Sequence, residues 1–83
     1  MSGRDLYTVT PAPGNAPRRW VLRRNGDVLA YHDTQQGCID TGVMLARNRL
    51  KLLGKLAELQ IHGKDGQIKD KRTYGDDPIE TKG

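Results

Sequence analysis

Phenylalanine is absent from this 83-residue chain, and one tryptophan and three tyrosines are its only aromatic residues. A core made without that bulk is thin, and a chain this short buries little surface to begin with. Ten glycines raise the entropy lost on folding. The shortage points to self-association as a further source of stability. A single cysteine excludes an intramolecular disulfide framework and suits a reducing cytoplasm. No apolar run approaches the ~20 residues of a membrane span. The opening MSGRDLYTVTPAPG has no apolar signal-peptide region. Glycine-rich phosphate loops, CxxC pairs and HxxxH pairs are missing too. The expectation is a cytoplasmic protein with no membrane contact, no cofactor and no metal.

What is present is basic. Fourteen Lys and Arg stand against ten Asp and Glu, a net charge of +4. That balance favours anionic partners weakly. A solvated basic surface is the commoner account of such a charge.

The most regular stretch runs from Ala57 to Pro78. Ala57, Leu59 and Ile61 alternate with Glu58, Gln60 and His62, the period of a half-buried strand. Gly63-Lys64-Asp65-Gly66 reads as a tight reversal. Gln67 to Tyr74 returns as a second strand, with Ile68 and Tyr74 expected on one face, and Gly75-Asp76-Asp77-Pro78 stops it.

From the start of the chain, 1–5 reads as a loose end, 6–78 as one domain and 79–83 as a tail. Leu6 to Thr10 is β-rich and forms a first strand. Pro11 to Pro17 holds three of the four prolines and is a loop. Arg18 to Arg24 is a second strand, with Trp20 and Leu22 on one side. Asn25-Gly26 is a strong hairpin signal and leads into Val28 to His32. Both sides of that third strand are partly apolar, so its facing stays open. Thr34, or alternatively Asp33, caps a helix. Ile39, Val43, Ala46, Leu50 and Leu53 then fall at helical spacing, with Gly42 on the same face and Gly54 at the end. The expected fold is α+β: an antiparallel sheet with one helix on one face, in the order β-β-β-α-β-β. Trp20, Leu22, Leu59, Ile61 and Ile68 are expected to meet Ile39, Val43, Ala46 and Leu50.

Several blocks carry a resemblance. They are Trp20 to Gly26 (WVLRRNG), Thr34, Leu45 to Asn48 (LARN), Ile61 to Ile68 (IHGKDGQI) and Tyr74 to Pro78 (YGDDP). Together the chain resembles the bacterial domain-of-unknown-function family 2188 from about Tyr7 to Pro78. The resemblance implies a small stand-alone prokaryotic domain and brings no activity with it. One departure is extra length at Arg49 to Leu56 (RLKLLGKL), which should extend the helix or lengthen the connection after it.

Candidate chemistry is sparse. Cys38, His32 and His62 lie on three different elements without metal-ligand spacing. Cys38 reads as a small apolar residue on a helix face. His62 and Asp65 flank a turn, where Asp65 bonds nearby backbone and His62 faces solvent. Asp76-Asp77-Pro78 reads as a turn. No convergent catalytic set follows, so the chain is expected not to be an enzyme.

Two binding functions remain. The first is a self-associating or protein-binding module, either a homodimer or one taking another protein. Leu45, Leu52 and Leu56 are surplus to the core stripe and mark the self-association surface. Alternatively, a longer helix end folds back over Trp20 and consumes them. The second is weak, sequence-independent nucleic-acid binding through Arg18, Arg19, Arg23, Arg24, Lys64, Lys69, Lys71 and Arg72, aided by Arg47, Arg49, Lys51 and Lys55 at the helix end. In that reading Lys69, Lys71 and Gln67 share one strand face, opposite Ile68.

Overall fold

The structure, a computed structural model, describes residues 4–75. The elements run β1 (Arg4–Pro11), β2 (Trp20–Arg24), β3 (Asp27–His32), α1 (Gln35–Leu53), β4 (Leu56–His62) and β5 (Ile68–Tyr74). They form an α+β domain, one helix against a five-stranded sheet of order β3-β2-β1-β4-β5. The sheet is mixed, which corrects the antiparallel expectation. β1 and β4 run parallel, with Tyr7 opposite Leu59 and Val9 opposite Ile61. Every other pairing is antiparallel. The parallel pair follows from the path of the chain. β3 is an edge strand, and α1 carries the chain back across the sheet to the far side of β1. Parallel neighbours require such a crossover.

Local chemistry sets the joints. Asn25 (φ 53°) and Gly26 (φ 92°) both take left-handed backbone, as a two-residue hairpin turn requires. Asn25 also staples β1. Its amide donates to the Leu6 carbonyl at 2.7 Å, and its Oδ1 accepts from the Leu6 amide at 2.9 Å. Its Nδ2 donates to Asp5 Oδ1 at 3.2 Å. These bonds hold Arg4 and Asp5 in β1, where a loose end was expected. Thr34 is the helix cap, its hydroxyl accepting from the Gly37 amide at 3.0 Å. Asp33 is left to pair with Arg18 at 3.0 Å. The helix runs on to Leu53, taking in most of the Arg49 to Leu56 segment. Gly54 (φ 68°) closes it, donating to the Leu50 carbonyl at 2.9 Å.

The core lies between α1 and one sheet face. Tyr7, Val9, Trp20, Leu22, Ala57, Leu59 and Ile61 meet Cys38, Ile39 and Ala46, with Leu29, Val43, Leu45 and Tyr74 at the margin. Gly42 lets the helix sit close, since a Cβ there would lie 3.2 Å from Leu22 Cδ1 and Leu59 Cδ1. Leu53, expected on the core stripe, is 63 % exposed because the last turn of α1 overhangs the sheet. The Tyr7 hydroxyl is buried without a hydrogen-bond partner.

Two register shifts change which residues face the core. In β3, Leu22 pairs with Ala30 but Arg23 pairs with Val28, so Leu29 is the extra residue. That settles the open facing: Leu29 packs on the core and Val28 is exposed. In β5, Ile61 pairs with Asp70 but His62 pairs with Ile68, so Lys69 is the extra residue. Paired residues share a sheet face, and a one-residue slip moves a side chain to the other one. Ile68 therefore joins His62 on the helix-free face, 48 % exposed, instead of entering the core. Tyr74, opposite Ala57, lies on the helix face, so the two do not share a face as expected. Lys71, opposite Gln60, shares the helix-free face with Ile68. The expected pairing of Lys69 with Lys71 opposite Ile68 is overturned by this one bulge.

Candidate functional site

The helix covers the centre of the sheet and stops short of β5, which is exposed along almost its whole length. The uncovered margin forms a groove of about 820 Å³ between α1 and β5. Ile39, Val43, Leu50 and Tyr74 supply apolar wall, and Met44, 53 % exposed, stands at its side. Arg47, Lys51 and Arg72 also line it, against one acid, Asp40. Arg72 already pairs with Asp70 at 3.5 Å, and Asp40 accepts from Gln36 at 2.9 Å. Arg47 and Lys51 have no ion-pair partner among the described residues. The groove is thus apolar inside and cationic at the rim. Sequence reasoning did not assemble it. The available signal was Met44 off the core stripe, with Arg47 and Lys51 three and seven positions later on the same helix side.

The eight basic residues considered for nucleic acid do not share a face. Arg23 lies opposite Thr8 on the helix-free side and donates to the Thr10 hydroxyl at 3.4 Å. Lys71 is on that side as well. Arg72 is on the helix side, and Arg24 sits at the β2–β3 turn opposite Asp27. Arg18 is taken up by Asp33. Arg19, Lys64 and Lys69 do converge, lining a cleft of about 710 Å³ beside Trp20, Thr34 and Gln35. Of the helix-end cations, Arg49 is committed to Asp5, Nε to Oδ2 at 3.1 Å.

The three leucines proposed for self-association part company. Leu45 packs against the core, Leu56 is half-buried, and Leu52 alone is widely exposed, at 77 %. They do not make a contiguous patch. The longer helix end continues α1 and does not fold back over Trp20.

The residues weighed for catalysis or metal binding serve local structure. Cys38 is fully buried, and burial pushes its thiol up to about 11, with a backbone hydrogen bond at His32 only partly offsetting that. His32 Nε2 lies 2.9 Å from the Thr41 hydroxyl. His62 Nδ1 donates to the Gly66 carbonyl at 2.8 Å, and Asp65 Oδ1 accepts from the Gln67 amide at 3.0 Å. Both brace the turn. No cluster of three or more His, Cys, Asp or Glu with metal-site geometry occurs among the described residues. The 76–78 turn and the 79–83 tail lie outside the described residues. No helix among the described residues is long and apolar enough to cross a membrane.

The family model described as "Uncharacterized protein conserved in bacteria (DUF2188)" matches residues 7–74. That span covers most of the 83-residue chain and includes all of β2 through β5, so the chain belongs to this family. No curated protein and no solved structure matches the chain.

Proposed function

We propose that this protein is a non-catalytic protein-binding module. Its occupant is an acidic segment of another protein with apolar anchors, held in the groove between α1 and β5. One observation carries the reading: β5 extends beyond the helix and leaves an apolar channel rimmed by Arg47, Lys51 and Arg72. An amphipathic segment laid in such a groove buries apolar anchors, while its acidic flank meets the rim. A second copy of this chain fits less well. Docking groove to groove sets the same cations face to face, which costs free energy. The edge strands also resist pairing, since β3 and β5 each carry a bulge and β5 presents Lys69 and Lys71.

Charge reversal at the rim tests this reading. Arg47→Glu with Lys51→Glu changes two exposed helix residues and leaves the core alone. Native protein is recovered from its own cells, with and without nuclease treatment, in wild-type and reversed forms. The expected result is a protein companion on the wild type that is lost from the reversed form and survives nuclease. Companions that are identical on both forms contradict the groove. Companions lost on nuclease treatment assign the binding to nucleic acid instead.

A further inference from the structure

The second cleft, at the N-terminal end of the helix, has different chemistry. We infer that it is a binding site for a terminal phosphate group, a phosphate monoester dianion. Its cations come from three separate places in the chain: Arg19 from the loop before β2, Lys64 from the β4–β5 turn and Lys69 from the β5 bulge. None of the three has an ion-pair partner among the described residues. Of the two acids lining the cleft, Asp33 is neutralised by Arg18, while Asp65 accepts from the Gln67 amide and keeps its charge, so three cations stand against one uncompensated carboxylate. The cleft is therefore cationic in effect as well as in composition.

The placement of Lys69 is the particular observation behind this. A regular β5 would send Lys69 to the helix-free face. The bulge turns it onto the helix face, and its stem lies over Gly63. Bulges commonly re-aim a side chain beside a site. Glycine at position 63 makes room for that stem, since a Cβ there would come within 2.9 Å of Lys69 Cδ and closer still to Cε. Three like charges drawn into one cleft repel each other, and an anion of charge near −2 relieves that repulsion better than a singly charged diester.

Trp20 lines the cleft from the edge of the core and is the only tryptophan in the chain, so tryptophan emission comes from this one position. The test is a titration of full-length protein with inorganic phosphate at constant ionic strength, read by Trp20 fluorescence. A nucleoside 5′-monophosphate and a dinucleoside phosphodiester without a terminal phosphate form parallel arms. Saturable binding of phosphate and the monophosphate is expected, weakened about tenfold or more by Arg19→Ala with Lys64→Ala. Both positions are exposed, and an unchanged thermal melt shows that the fold is kept. Lys64→Ala alone, in the turn, serves if the double variant melts early. A response that never saturates, or that both variants leave unchanged, overturns the site. Equal binding of the phosphodiester overturns the terminal-phosphate assignment.

Discussion

Asp5 and Arg49 stand forty-four residues apart in the chain and meet at 3.1 Å, carboxylate to guanidinium. Asp5 is only 6 % exposed, at the start of the central strand, and Arg49 reaches it from the last turns of α1. Asn25 donates to the same carboxylate from the β2–β3 turn. One buried acid thus ties together the strand, the hairpin and the helix end. It also uses a cation that would otherwise have belonged to the helix-end cluster.

The first prediction concerns pH. Burial raises the Asp5 carboxyl, but hydrogen bonds from Asn25 and Arg49, with the charges of Arg49 and Lys55, outweigh it and hold the group below its ordinary value. A depressed folded-state value stabilises the protein fully above the unfolded value, near 3.9. That stability is lost as pH falls through the folded value. Thermal melts from neutral pH down to about pH 2 should show Asp5→Asn less stable than wild type at neutral pH, with the gap closing in acid. A gap of constant size contradicts the role of the charge.

Tyr7→Phe should not destabilise. The hydroxyl is buried and unpartnered, so removing it removes a desolvation cost while keeping the ring. The expected change lies between zero and a gain of about 1 kcal/mol. Leu59→Ala, in the same layer, should cost about 2–5 kcal/mol. Denaturant midpoints compare the two directly. A loss of stability in Tyr7→Phe would mean that the hydroxyl has a partner after all.

Gly63→Ala should separate fold from site. The new methyl meets the flexible stem of Lys69 and not the backbone, so Lys69 swings away at small cost. Gly63 is buried, but only a flexible side chain must move, so the loss of stability should stay at about 1 kcal/mol. The phosphate response of Trp20 should weaken. An unchanged phosphate response would show that Lys69 plays no part in the cleft.

In dilute solution the protein should be a monomer. Leu45 and Leu56 are drawn into the fold, which leaves Leu52 exposed only beside Leu53 at the helix end, a patch of two residues and smaller than a dimer interface needs. Light scattering at micromolar concentration should give a mass near 9.3 kDa, unchanged by Leu52→Lys. A doubled mass that Leu52→Lys returns to monomer would favour self-association over a foreign partner.

The joints of the fold were visible in the sequence, and its lateral arrangement was not. Asn25-Gly26, Thr34 and Gly54 announce themselves because each residue type suits one local backbone state. The alternation through Ala57, Leu59 and Ile61 marks the buried face of β4 for the same local reason. Alternation does not say which strand lies alongside, so the parallel pairing of β4 with β1 could not be read from it. The bulges at Leu29 and Lys69 were equally hidden. One extra residue leaves no compositional mark, yet it reverses the facing of its neighbours, which is why Ile68 and Lys69 were misassigned. Both candidate sites depend on such long-range geometry. Arg19 and Lys64 meet at one cleft only because β2 and β4 flank β1.

Site-specific photocrosslinking tests the groove most directly. A photoreactive residue replacing Met44 sits beside the channel, while one replacing Lys71 sits on the opposite sheet face. Both positions are exposed, so neither replacement disturbs the core. Irradiation in the native cells should yield a discrete protein adduct from position 44 and none from position 71, and Arg47→Glu with Lys51→Glu should abolish it. An adduct from position 71 alone, or one from position 44 indifferent to charge reversal, would contradict a groove that binds an acidic partner.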